Sequence, residues 1–316
     1  MAFAGWQPTM RRMSPNRSIS VAIPATITIV FWGSAFAGIR AGLQACSPAH
    51  LAVLRFIVAS LALAAHALIT HMRSPLRRDL PRIFLLGLLG FAFYNLALNI
   101  GEQSIAAGPA ALLIQTAPIW TALLAVAFLG EHLRAWGWVG VATSFAGVLA
   151  LSLGNDEGFQ LGWAALLVLA AAISMASYNI VQKRMLTRYR PVEITTYAVW
   201  AGTLLLLPFA PGLIPAVAAA PLRSTLAVVY LGLAPAALAY VTWAIVLSRL
   251  PAARAASFLF AVPVVAFIVA WAWLGEVPKP VDLVGGALAF AGVAIVNTLG
   301  RDRAPLQKRA PPELEP

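Results

Sequence analysis

Apolar residues run through this chain in helix-length stretches, and the polar positions collect at the breaks between them. Marking those breaks at Pro, Gly and charged residues predicts ten spans: 21–43, 48–70, 81–101, 106–128, 135–153, 160–183, 192–210, 223–247, 253–274 and 281–299. Each is close to the roughly 20 residues that a helix needs to cross the hydrocarbon core of a bilayer. None alternates polar with apolar as an outer-membrane strand would, which excludes a β-barrel. The connections are too short to hold a soluble domain. The reading is an all-α integral membrane protein.

A second pattern lies over the first. Leu86-Gly87-Leu88 reappears 145 residues on as Leu231-Gly232-Leu233, and Pro118 as Pro263. At the same distance Leu129-Gly130-Glu131 returns as Leu274-Gly275-Glu276, and Phe145-Ala146-Gly147-Val148 as Phe290-Ala291-Gly292-Val293. Arg40 and Pro48 correspond to Lys183 and Pro191 at a slightly shorter offset. The chain therefore predicts two five-helix repeats, 21–154 and 155–300, between an N-terminal tail, 1–20, and a disordered, Pro- and Arg-containing tail, 301–316. Five is an odd number, so the second repeat enters the membrane from the opposite face.

Composition agrees and charge sets the orientation. Of the 316 residues 61% are hydrophobic and 10% charged, against roughly 45–50% and 25% in soluble domains. The net charge of +11 would suggest nucleic acid in a soluble protein, but here the cations occupy tails and short loops. With the N-terminus inside, one side collects Arg73, Arg77, Arg78 and Arg82, then Lys183, Arg184, Arg188 and Arg190, then Arg249 and Arg254, and both tails. The other side keeps Arg223 and Lys279, while Arg40 and Arg55 lie within spans. The positive-inside rule then places both termini in the cytoplasm of a bacterial inner membrane. Arg11, Arg12 and Arg17 before an apolar run mimic a signal peptide, but that run continues past Ser34–Gly38 to Leu43 and reads as a retained span. The single cysteine, Cys46, excludes an intramolecular disulfide and reads as a buried apolar side chain.

Phe31–Gly42 (FWGSAFAGIRAG), Leu54–Phe56 (LRF), mid-span Pro118 and Pro263 and the duplicated L-G-E…F-A-G-V segments resemble the EamA-type family of the drug/metabolite transporter superfamily. The resemblance covers about residues 20–300. It implies ten transmembrane helices in two inverted five-helix repeats around a central cavity, and export of amino acids or similar small metabolites; among its members the chain looks most like the aromatic amino-acid exporters.

The residues themselves supply candidates for the work. Inverted repeats suit alternating access. No Asp or Glu lies near the middle of a span: Glu102, Glu131, Glu193 and Glu276 all fall at ends. Arg40 and Arg55 read as helix-end residues, either snorkelling and pairing or forming an outer-mouth site for a substrate carboxylate. Pro118 and Pro263 are predicted hinges that free the carbonyls of Ile114 and Leu259. The predicted substrate-binding set is Trp32 and Phe36 on span 1, Tyr94, Asn95 and Asn99 on span 3, Gln115 on span 4, Tyr178 and Asn179 (with Ser174) on span 6, and Tyr240 and Trp243 on span 8. Aromatic walls with few amides suit an aromatic or large neutral amino acid, or an aromatic cation or drug held by ring faces. A nucleotide-sugar or phosphate-ester exchanger would want several inward cations, and a channel a repeated polar pore face. The four histidines form no HExxH pair, and no phosphate loop, metal cluster or Ser/His/Asp set is present. An enzyme is disfavoured, and neither cofactor, metal nor nucleic-acid partner is expected. The L-G-E corners read as helix ends, with glycine closing one helix and the carboxylate beside the N-terminus of the next. Gly38/Gly42, Gly140/Ser144 and Gly285/Ala289 are small-residue pairs for close helix packing.

Overall fold

The computed structural model describes residues 19–117, 119–120, 123–124, 134–153, 162–250, 255 and 258–299. The principal helices are α1 (Ile19–Leu43), α2 (Pro48–Ile69), α3 (Arg77–Gly101), α4 (Ala107–Ile114), α5 (Ala135–Leu153), α6 (Trp163–Met185), α7 (Pro191–Leu206), α8 (Leu222–Arg249), α9 (Val262–Leu274) and α10 (Pro280–Thr298). A short helix, Leu213–Ala219, lies between α7 and α8. Among the described residues there is no strand. Six helices are long and apolar enough to cross a membrane: α1, α2, α3, α6, α7 with its 3₁₀ extension to Phe209, and α8. Their outer faces carry large apolar side chains such as Leu61, Leu68, Trp163, Leu204 and Leu226, as helices solvated by lipid require.

Starts and stops follow local chemistry. Pro48, Pro191 and Pro280 occupy first-turn positions, where a missing N–H costs nothing. Ser47 Oγ accepts the His50 amide at 3.2 Å and Asp282 accepts that of Lys279 at 2.9 Å. Gly275, at φ +70°, closes α9 with its amide on Trp271 and that of Glu276 on Ala270.

The halves of the chain pack reciprocally. α1 lies on α9 and α4 on α6; α3 lies on α7 and α8 on α2; α5 pairs with α10. The close approaches correspond as well. A Cβ on Gly87 would sit 2.6 Å from Gly202 N of α7, and one on Gly232 would sit 2.7 Å from Arg55 O of α2. Gly38 and Gly42 fit against Leu231 and Leu51, and Gly292 meets Gly140 and Ser144 where α5 crosses α10.

The bundle has two distinct ends. Arg40, Pro48, Asn99, Glu102, Ala107 and Glu276 meet at one, which brings together the C-termini of α1, α3 and α9 and the N-termini of α2 and α4. At the other, buried Asp79 takes Arg188 Nη1 at 3.1 Å and the Tyr189 hydroxyl at 2.9 Å. Cys46 is buried near the first end, where desolvation pushes its thiol pKa up.

The expectation that Pro263 frees a carbonyl changes, and that for Pro118 falls outside the described residues. Pro263 lies in the first turn of α9, behind a 3₁₀ turn at Leu259–Ala261, and the Leu259 carbonyl is taken by the Val262 amide. It starts a helix and does not leave that carbonyl unpaired, because the tighter turn supplies a nearer donor. Pro118 lies outside the described residues; α4 gives way to a turn at Gln115–Thr116 just before it.

Because backbone sets the 2.7 Å limit, Gly232→Ala is expected to force α8 from α2 and destabilise the protein by about 1–3 kcal/mol. Thermal unfolding in detergent should show a lower midpoint for Gly232→Ala and for Gly87→Ala.

Candidate functional site

Two π-helical turns build the interior. They occupy Leu88–Ala92 in α3 and Gly232–Leu238 in α8, places related by the repeat. A π turn widens the helix and turns its carbonyls toward neighbours. The carbonyls of Gly90 and Pro235, one the repeat counterpart of the other, each accept an aromatic donor: the Tyr240 hydroxyl at 3.0 Å and the Trp32 indole N–H at 3.3 Å. Ser174 Oγ donates to Leu89 O at 2.7 Å. Gly90 also lets a ring approach, since a Cβ there would meet the Tyr178 ring at 2.4 Å.

These bonds orient a ring cluster. Trp32 lies 5.1 Å from Tyr240 and 5.6 Å from Trp243 between centroids. Phe91 lies 4.6 Å from Tyr240 and stands edge-on to Tyr178 and Phe56. Such edge and tilted pairs contribute about 0.5–1.5 kcal/mol each beyond area burial.

Beside the cluster is an interior cavity of about 60 Å³, enough for a few water molecules. Of the sequence-predicted residues, Trp32, Phe36, Tyr94, Gln115, Asn179 and Tyr240 line it. Trp243 stands behind, donating its indole N–H to Asn179 Oδ1 at 3.0 Å. Tyr178 is fully buried and takes the Gln182 amide at 2.6 Å. Asn99 reaches out of the site and donates to Pro48 O at 3.0 Å. Asn95 is also fully buried, but it supports the site by donating to Phe91 O and accepting from Arg55 Nη1, both at 2.9 Å. Pro263 is absent from the lining, which Leu259 and Val262 supply at that end.

Arg55 is what the sequence reading placed elsewhere. Expected at a helix end, it is 3% exposed, lines the cavity and leaves its Nε without a hydrogen-bond partner. The signal was in the sequence as an unexplained intramembrane charge. Its direction was not: seven residues past Pro48 the side chain turns inward to Asn95 of α3. Gln115 Nε2, on the same cavity, is also unpartnered. An unpaired buried polar atom costs about 1–3 kcal/mol, so two on one cavity mark where a polar ligand or water belongs.

Arg40 does lie at a helix end. Its Nε pairs with Glu276 Oε1 at 3.1 Å and its Nη1 donates to Glu102 O at 2.8 Å. Glu276 Oε2 accepts the Ala107 amide at 3.1 Å. The expected carboxylate at a helix N-terminus is therefore present, but the helix is α4 from the other half and not the following α10, whose first turn carries Asp282. The first copy of that corner, at Glu131, lies outside the described residues. Among the described residues no group of His, Cys, Asp or Glu could hold a metal ion.

Comparison with known proteins agrees over most of the chain. The EamA-like transporter family matches twice, at residues 20–153 and 162–298. A probable terminal-alkyne amino-acid exporter of Streptantibioticus cattleyicolor is 44% identical over 282 residues, covering 88% of this chain and 94% of that protein. An uncharacterized transporter, YdfC, of Bacillus subtilis is 40% identical over 278 residues, 88% and 91% of the two chains. A probable amino-acid metabolite efflux pump of Escherichia coli is 28% identical over 288 residues, 87% and 94%. A crystal structure at 21% identity superimposes with a TM-score of 0.61 over 89% of this chain and 97% of the other, a likeness of fold.

The Tyr240 hydroxyl is a side-chain donor to the buried Gly90 O. Tyr240→Phe is expected to cost about 1–3 kcal/mol, read as a lower unfolding midpoint in detergent, whereas Phe36→Leu, which removes no hydrogen bond, should shift the midpoint less.

Proposed function

The chain belongs to the EamA-like transporter family, and from that premise we propose that it exports aromatic or other large neutral amino acids across a bacterial inner membrane. It is a membrane transporter and not an enzyme. The substrate class is supported by the cavity: one buried cation, Arg55, for a carboxylate; the amides of Gln115 and Asn179 for polar contacts; and the rings of Trp32, Phe36, Tyr94 and Tyr240 for an apolar side chain. Similarity to the terminal-alkyne amino-acid exporter, at 44% identity, points the same way. The observation that carries the reading is Arg55, a buried cation that lines the cavity and whose Nε has no hydrogen-bond partner. An isolated aromatic cation or drug would meet repulsion there. A phosphate ester or nucleotide sugar would need further cations, and among the described residues the lining holds Arg55 alone.

The carrier works by alternating access between two inverted five-helix repeats, 21–154 and 155–300, in a ten-span topology with both termini cytoplasmic. Reciprocal packing of the halves supports this. So does the Glu276 contact, which sets the C-terminus of α9 beside the N-terminus of α4, its repeat counterpart. Regular helix breaks off on the cavity side of both helices, at Gln115–Thr116 and at Leu259–Ala261, which supports Pro118 and Pro263 as the bending points. Asn95, Asn99, Tyr178 and Trp243 hold the lining residues in register.

The test is counterflow of labelled amino acids in proteoliposomes. Uptake should exceed that of empty liposomes for aromatic or large neutral amino acids, and equality across the panel would overturn the substrate class. Arg55→Gln should weaken half-saturation about 10- to 100-fold, the equivalent of a charged hydrogen bond of about 1.5–3 kcal/mol, with little effect on the matching decarboxylated amine. Asn95→Ala and Trp243→Ala should lower transport without preventing insertion.

A further inference from the structure

Glu102 is the least satisfied side chain in the described structure. It lies one residue past α3, is 0% exposed, and neither carboxyl oxygen has a hydrogen-bond partner. It continues a face of α3: Asn95, Asn99 and Glu102 stand at helical spacings of four and three, and all three are fully buried. Asn99 Oδ1 is also unpartnered. With Arg55 Nε and Gln115 Nε2, these atoms lie between the interior cavity and the Arg40 end of the bundle; among the described residues Gln182 Oε1, Thr195 Oγ1 and Thr196 Oγ1, on α6 and α7, are unpaired as well. There an open pocket of about 410 Å³, lined by Arg40, Gln44, Glu102, Gln103 and Glu276, reaches the surface.

The repeat supplies a control. Arg40 Nη1 donates to Glu102 O at the C-terminus of α3. At the opposite end Lys183, its counterpart, donates to Leu247 O and, at 2.8 Å, to Leu250 O, closing α8. Leu247 stands 145 residues beyond Glu102. The same cation-to-carbonyl cap forms there with no carboxyl, so capping does not require one at position 102. An ionised, unpaired carboxylate in a dry site is costly, whereas a protonated one is tolerated.

We propose that Glu102 is the proton-binding site of this carrier, loaded from the Arg40-lined pocket, so that one proton moves inward for each substrate moved out. The coupling to amino-acid movement rests on the amino-acid reading above; the proton site does not. The charged and titratable groups facing Glu102 are Arg40 of α1, Arg55 of α2 and Glu276 beyond α9, with Tyr94 on its own helix. Burial pushes the Glu102 carboxyl well above the usual carboxylate range; Arg40 and Arg55 draw it back and Glu276 pushes it further. Loading forms an O–H bond on a Glu102 oxygen with a proton from pocket water. Release returns that proton to water when the carrier faces inward.

Two measurements test this on the full-length protein. Infrared titration without substrate should show a protonated-carboxyl band that bleaches with rising pH in the wild type and in Glu102→Asp but is missing in Glu102→Gln. A wild type without such a band, or the same titration in Glu102→Gln, overturns the proton site. In proteoliposomes an imposed pH gradient should drive amino-acid accumulation by the wild type. Glu102→Gln should lose that drive at least tenfold while keeping gradient-free counterflow, which also reports that it has folded; gradient-driven accumulation at the wild-type level in Glu102→Gln overturns the coupling. If the band titrates but no amino acid moves in any preparation, the substrate reading fails and the proton site stands.

Discussion

Inside a bilayer a backbone carbonyl turned away from its own helix cannot borrow water and must find a donor on a neighbour. That constraint organises this protein. The π turns of α3 and α8 present Leu89, Gly90 and Pro235 to the bundle interior, and Ser174, Tyr240 and Trp32 answer them. Each bond ties a helix of one half to a helix of the other, or fixes the angle of a ring that lines the cavity. Moving either π turn by a residue would rotate Asn95 or Tyr240 by about 100°, and the cavity would lose its amide or its aromatic wall.

The same interior is symmetric in its framework and asymmetric in its chemistry. Gly87 and Gly232 make matching close approaches, and Arg40 and Lys183 cap matching helix ends. Arg55 at the cavity and Glu102 at one end are charges with no charged counterpart in the other half. If the halves are inverted as proposed, the scaffold can rock between them at little cost, because each state resembles the other turned over. Direction has to come from what breaks the symmetry, and both unmatched groups lie on the route between cavity and surface.

Much of the cavity lining was legible in the residues. Tyr94, Tyr240, Trp32, Phe36, Gln115 and Asn179 could be found because polar and aromatic side chains at helical spacing in a lipid-solvated helix must face protein. Asn99, Tyr178 and Trp243 obey the same rule and yet face other helices, since burial against a partner and burial against a cavity leave the same mark on a sequence. Arg55 and Glu102 were placed by depth as end residues. A long side chain can point inward from such a position, and a corner between helices can be as dry as the core, so depth alone did not locate them.

By itself the sequence determined the solvent, the helices and the repeat: length, hydropathy and spacing are local properties, and each apolar run has to be a helix wherever it packs. It also named the chemistry on hand, rings and amides with few charges. Tertiary structure alone decided which of those groups meet. The π turns, the Arg55–Asn95 bond, the α4 amide held by Glu276 and the isolation of the Glu102 carboxyl all depend on which helix faces which. That choice is made by steric fit between distant segments, such as Gly232 against Arg55 O, and no single segment carries it.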